Sequence, residues 1–230
     1  MSNKDFLERI NFILGGRKKH PWGQALGIRG TRITQMFLGQ VPTADALEII
    51  HRAEGVSIDW LLTGDAVPFC VRHLTDQDGV TLLRKQNGDE QYHLLTTSEL
   101  TRIPALVLTR SERRPIARNA VTQYIATILV AEVGHAMMQE MAMDRLHLTA
   151  IGEPELERLQ AGKLGPYELR QTFLPHSRRA EAADLHRITE LLGRQGPAEL
   201  SHQESALLCA YRRQPEHKQA AYRVLLDVEL

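Results

Sequence analysis

The side chains best suited to recognition chemistry in this chain are Thr31, Arg32, Thr34 and Gln35, set close together between positions 31 and 35. Each can address the edge of a base pair. An arginine guanidinium can bond guanine at two points, a glutamine amide can do the same with adenine, and threonine can pack against the methyl group of thymine. Beside them stand Lys18, Lys19, His20 and Arg29, whose charge suits phosphate oxygens, contacts that orient a protein on a duplex without reading it. The local charge agrees. Residues 1–40 hold Lys4, Arg9, Arg17, Lys18, Lys19, Arg29 and Arg32 against Asp5 and Glu8, within a chain whose 28 basic and 28 acidic residues cancel. From Ala117 onward 13 basic residues face 15 acidic ones. A basic head on a near-neutral body is the distribution expected of a nucleic-acid reader with double-stranded DNA as its partner.

Other chemistry finds little support. The ten histidines are scattered, with no H-E-x-x-H and no Cys/His pair at ligand spacing, so neither a metal nor any other cofactor is expected. No glycine-rich phosphate loop follows a strand. Glu153, Glu155 and Glu157 read as the solvated start of a helix, where the dipole favours acids. Met137, Met138, Met141 and Met143 suit a core or a helix interface. The two cysteines, Cys70 and Cys209, lie far apart, which argues against a disulfide framework and for a reducing cytoplasm. No apolar stretch approaches the ~18 residues of a membrane helix, and no basic patch leads into an apolar run at the N-terminus.

To be aimed at a groove, the cluster at 31–35 needs two short helices crossing steeply, and residues 19–39 have the inward set for a helix-turn-helix. Trp22, Leu26, Ile28, Ile33 and Met36 take the buried positions. Gly23 sits where the second helix passes closest, and Gly27 at the tight turn, where a left-handed backbone suits glycine. Thr31 is placed to cap the second helix, leaving Thr31, Arg32, Thr34 and Gln35 outward. Further helices flank the pair. Phe6, Leu7, Ile10, Ile13 and Leu14 recur at helical spacing before Gly15-Gly16. Ala44, Leu47, Ile49, Ile50 and Ala53 follow Pro42-Thr43 and end at Gly55. Ser57 can cap a short turn with Ile58, Trp60, Leu61 and Leu62, closed by Gly64.

This helix-turn-helix is followed by Gly39-Gln40-Val41-Pro42 and by Gly55-Val56-Ser57-Ile58-Asp59-Trp60-Leu61-Leu62-Thr63-Gly64-Asp65. Together they resemble the N-terminal domain of bacteriophage CI-type repressors, part of the lambda-repressor-like group, over about residues 5–66. The resemblance implies a compact five-helix DNA-binding domain and symmetric operators bound by a homodimer or higher oligomer. It also implies a role in maintaining lysogeny or controlling a prophage-like locus, in the cytoplasm of a bacterial host at the nucleoid. Many such repressors carry a β-rich peptidase-like domain with a Ser–Lys dyad. Here no serine sits in a Gly-Asp-Ser type of turn, and after the middle of the chain only Lys163 and Lys218 remain as bases. A non-enzymatic regulator is therefore expected.

Beyond residue 66 the pattern changes. Residues 67–115 predict a β-containing middle segment: Phe69-Cys70-Val71, then Val80–Arg84 and Gln91–Leu95 about an Asn87-Gly88-Asp89 hairpin turn, then Ile103–Leu108, with Ser111–Pro115 as linker or exposed loop. Residues 116–230 predict a helical oligomerisation or regulatory domain. Val121, Ile125, Ile128, Leu129, Val133, Met137 and Met141 suggest one helix within Ala117–Leu148. Pro154, Tyr167–Phe173 and Ala180–Leu192 suggest others, and Ser201 with Glu204 makes a capping box before a last helical pair. The stretch from Glu204 to Arg213 is similar to tails of other regulators in the group, with oligomerisation and intradomain packing both open. The expected fold is mainly α with a small β segment. The alternative function is an antitoxin-like or anti-activator protein whose C-terminal region binds a regulatory protein partner.

Overall fold

A computed structural model describes residues 3–86, 88–117, 120–194, 210–211, 213–215 and 218–219. Five helices come first. α1 (Asn3–Leu14) buries Phe6, Ile10, Ile13 and Leu14, one stripe at steps of three and four. α2 (Lys19–Ala25) and α3 (Gly30–Met36) follow, then α4 (Ala44–Glu54), which ends on Gly55 at φ 62°. α5 (Ile58–Thr63) starts where the Ser57 hydroxyl accepts from the Trp60 N–H at 3.2 Å, and stops at Gly64. The Arg9 guanidinium donates to the carbonyls of Leu61 and Leu62 at 2.9 and 2.8 Å, satisfying end groups that a helix leaves unpaired. Phe6, Ile10, Ile33, Ile49, Ile50 and Leu61 form the centre of this core.

The rest is built on a six-stranded mixed sheet. Its strands are β1 (Val71–Arg72), β2 (Gln91–Thr96), β3 (Ala105–Ala117), β4 (Ala120–Val130), β5 (Leu146–Ala150) and β6 (Arg178–Arg179). They lie in the order β1-β4-β3-β2-β5-β6, with β1/β4 and β2/β5 parallel and the other pairs antiparallel. Alternate residues feed opposite faces. Leu94, Leu106, Leu108 and Val130 pack with α6 (Asp76–Arg84), α7 (His135–Glu140) and α10 (Ala182–Arg194) through Val80, Leu83, Met137 and Ile188. Leu95, Val107 and Leu129 pack on the other side, against Leu156 and Leu159 of α8 (Glu153–Gln160). There, α9 (Pro166–Glu168) runs into a π-helical stretch over Leu169–Phe173. Helices cover both faces of a central sheet.

That architecture overturns the expected mainly α fold with its small β segment and helical C-terminal oligomerisation domain. Residues 117–148 are not one helix but β4, α7, a 3-10 turn over Met143–Arg145 and β5. The misleading signal was a spacing of four. Val121, Ile125 and Leu129 would share a helix face, but four is also two strand periods, so they share a strand face as well. The β-branched and aromatic run Val121, Thr122, Tyr124, Ile125, Thr127 and Ile128 favours the strand. Ser111–Pro115 is no linker; it lies within β3, where Arg113 opposes Gln123. Val80–Arg84 is helical because the Thr75 hydroxyl accepts from the Asp78 N–H at 3.1 Å and Asp76 and Asp78 occupy the first turn. The Asn87-Gly88-Asp89 stretch therefore joins a helix to a strand and is no hairpin turn, and Asn87 itself lies outside the described residues. Most of the expected helical pair over 201–226, with the Ser201–Glu204 box, also lies outside them. Among the described residues no helix is long and apolar enough to cross a membrane.

Candidate nucleic-acid interface

α2 and α3 pack through Trp22, Leu26, Ile28, Ile33 and Met36, all buried. Gly27 turns the chain between them at φ 70°, and the Ile28 N–H reaches back to the Gly23 carbonyl at 2.9 Å. With Ile33 and Met36 committed inward, helical geometry sends Thr31, Arg32, Thr34 and Gln35 outward, and all four are exposed. Lys18, Lys19, His20 and Arg29 are exposed too. Lys18 precedes α2, Lys19 and His20 begin it, and Arg29 precedes α3. Thr31 is not the cap of α3, because the helix already starts at Gly30 and Arg29, in the cap position, makes no side-chain cap. The hydroxyl of Thr34 donates to the Gly30 carbonyl at 3.1 Å.

Arg32 is held in place. Its Nη1 lies 2.9 Å from Asp45 Oδ2 and 3.3 Å from Thr43 Oγ1. The Thr43 hydroxyl, and after it Arg32, keep the Asp45 carboxyl below its ordinary pKa. Arg114 of β3 approaches the same carboxylate at 3.6 Å and donates to the Asp45 carbonyl at 3.2 Å. Both partners of the Arg32–Asp45 pair are exposed, so the pair is worth only ~0–1 kcal/mol. A bidentate contact with guanine is worth ~1–3 kcal/mol of discrimination. The Arg32–Asp45 pair is therefore weak enough to give way to a stronger two-point acceptor. Asp45, Thr43 and Arg114 were not among the residues singled out from sequence, although the arginines between 110 and 114 were a signal that something cationic lay there.

Two of the N-terminal cations serve the interior instead. Arg9 closes α5, as described. Arg17 meets Glu54 through both oxygens at 2.8 and 2.9 Å, the Trp22 indole N–H donates to the same carboxylate at 2.8 Å, and Glu54 is 3% exposed. The Arg17 guanidinium also lies 3.8 Å from the centre of the Tyr167 ring, which ties the helices to the chain beyond the sheet.

The long β3–β4 hairpin locks to the helices as well. The Thr122 hydroxyl donates to the Ala25 carbonyl at 2.8 Å, and Arg170 donates to Thr127 Oγ1 at 2.9 Å and to the Ala53 carbonyl at 3.3 Å. Glu112 accepts from Arg52 at 2.6 Å and also from Arg110 and the Tyr124 hydroxyl. Burial pushes the Glu112 carboxyl up, but Tyr124, Arg110 and Arg52 outweigh it and hold the group below its ordinary value. Burial and the Glu112 charge in turn push Tyr124 up to about 12.

Elsewhere, His93 and His147 stack at 5.2 Å, with Ser177 within 3.2 Å of His93 Nδ1. Burial, and then His147, push His93 down to about 4. Among the described residues no group of three His, Cys, Asp or Glu side chains is placed to hold a metal ion. Comparison of the chain with family models, with curated proteins and with solved structures returned no match.

Proposed function

We propose that the chain is a sequence-specific DNA-binding transcriptional repressor of the bacteriophage or prophage CI type. It acts without catalysis in the cytoplasm of a bacterial host. The observation that carries this reading is the division of α3 into two faces: Ile33 and Met36 are buried, while Thr31, Arg32, Thr34 and Gln35 stand exposed beside Lys18, Lys19, His20 and Arg29. That ridge is one helix wide and polar, and its flanks are cationic, the arrangement that suits entry into a major groove with phosphates on either side. One such helix reads too few base pairs to select a genomic site, so the repressor binds symmetric operators as a dimer or higher homo-oligomer.

The test is selection of a preferred duplex from a random pool, followed by titration of variants on that duplex and on random DNA. Arg32→Ala and Gln35→Ala are expected to lose ~1–3 kcal/mol of discrimination each. Lys19→Ala is expected to weaken both titrations equally and flatten the salt dependence by about one phosphate contact. Failure to enrich any sequence, or full discrimination retained in both base-reading variants, contradicts the reading.

A further inference from the structure

We propose that the β3–β4 hairpin is a second DNA-contacting arm, with Arg114 gripping a phosphate beside the groove that α3 enters and Arg113, on the opposite face of the hairpin, taking another further along the backbone; this rests on the repressor reading above. The hairpin is far longer than the sheet requires. β2 pairs with β3 only as far as Thr109, and β1 pairs with β4 only at Leu129 and Val130. From Arg110 to Ala117 and from Ala120 to Ile128 the two strands pair with each other alone, forming an arm that leaves the sheet.

The arm has a fixed seat. Thr122 bonds the last residue of α2, Arg52 of α4 meets Glu112, and Arg114 reaches Asp45 at the start of α4. Arg114 and Pro115 therefore lie close to Arg32 of the reading helix. A cleft of about 200 Å³ there is bordered by Arg29 and Arg32 from the helical pair, Asp45 from α4, and Arg114 and Pro115 from the arm.

Charge decides what fits. Glu112, the acid of β3, is already engaged by Arg52, Arg110 and Tyr124. At the cleft one carboxylate, Asp45, serves both Arg32 and Arg114. Outside the cleft, on the other face of the hairpin, Arg113 is exposed and has no ion-pair partner among the described residues. Cations in excess on an arm beside a helix that reads bases match a polyanionic backbone, and arginine's forked donors match phosphate oxygens in pairs. The contact adds affinity and register, not base preference.

The experiment measures the affinity of the full chain for the selected duplex across a range of salt, comparing wild type with Arg113→Ala/Arg114→Ala and Arg113→Lys/Arg114→Lys. Each phosphate contact contributes ~0.9 to the slope of log affinity against log salt. The alanine pair is expected to flatten the slope by about 1.8 while still preferring selected to random DNA, and the lysine pair keeps most of the slope. A backbone footprint should shrink at its flanks in the alanine pair alone. Thermal unfolding of the lysine pair reports whether the arm itself is perturbed. A slope for the alanine pair within about half a contact of wild type overturns the arm. If Lys19→Ala still flattens the slope and Arg32→Ala still loses discrimination, only the arm has failed. If wild type prefers no duplex at all, the repressor reading has failed and the arm with it.

Discussion

Gly23 and Ile33 meet so closely that a Cβ on Gly23 would lie 2.4 Å from Ile33 Cδ1 and 2.5 Å from its Cγ1. Real side chains do not approach to that distance, so the absence of a side chain at one residue sets how near α2 and α3 come. It also sets the direction in which the exposed ridge of α3 points.

Gly23→Ala is therefore expected to destabilise the fold by ~1–3 kcal/mol, as overpacking does, and to weaken DNA binding more than any single phosphate contact. Ile33→Ala is costly alone because a fully buried side chain is lost. In that background, however, Gly23→Ala should cost much less. Denaturant unfolding of the four proteins measures the coupling, and additive costs would refute the contact as the cause.

Asp45→Asn removes the carboxylate that Arg32 and Arg114 share. Random DNA should then bind up to about fivefold more tightly, the scale of a surface ion pair of ~1 kcal/mol, and discrimination should fall. Titration by fluorescence anisotropy checks this. Unchanged or weaker binding to random DNA would show that Asp45 does not restrain the arginines.

Tyr124→Phe deletes the hydroxyl that donates to Glu112. A bond to a charged group is worth ~1.5–3 kcal/mol, and its half-buried setting puts the expected loss near the lower figure. Urea unfolding reads it. A loss below about 0.5 kcal/mol would mean the arm's seat does not depend on this bond, since a change that small is typical of any surface site.

His93 gives the pH dependence its sign. Its folded pKa, about 4, lies below the ordinary 6.5. The unfolded chain thus binds the extra proton between those values, and stability falls as pH drops from about 6.5 towards 4. His93→Gln should flatten that part of the curve and leave neutral pH to packing alone. Melting temperatures of both proteins from pH 4 to 7 decide it, and parallel curves would count against His93 as the source.

Residues whose partners lie nearby in sequence were the legible ones. Phe6, Ile10 and Ile13 before paired glycines, and Ile49, Ile50 and Ala53 before Gly55, mark α1 and α4 because an apolar stripe ending in a left-handed glycine has few other solutions. The outward set of α3 follows from Ile33 and Met36 in the same way. The sheet was hidden by its own arm. On the face of the hairpin that meets the helices, Arg110, Glu112 and Arg114 stand where an ordinary strand would place apolar residues, and they are satisfied by ion pairs. Alternation, the usual mark of a strand, was therefore missing from Ser111–Pro115. Asp45 was invisible for a different reason: its partners Arg32 and Arg114 stand 13 and 69 positions away, distances at which spacing carries no information.

The claim on which the rest depends is that Arg32 touches a base edge in the major groove. Methylation interference at guanine N7, on a duplex selected by the wild-type protein, tests it most directly, because the added methyl occupies the acceptor that arginine would use. The expected result is a symmetric pair of guanines whose methylation blocks wild-type binding and becomes harmless to Arg32→Ala. An identical interference pattern in the two proteins, or none at any major-groove guanine, would contradict it.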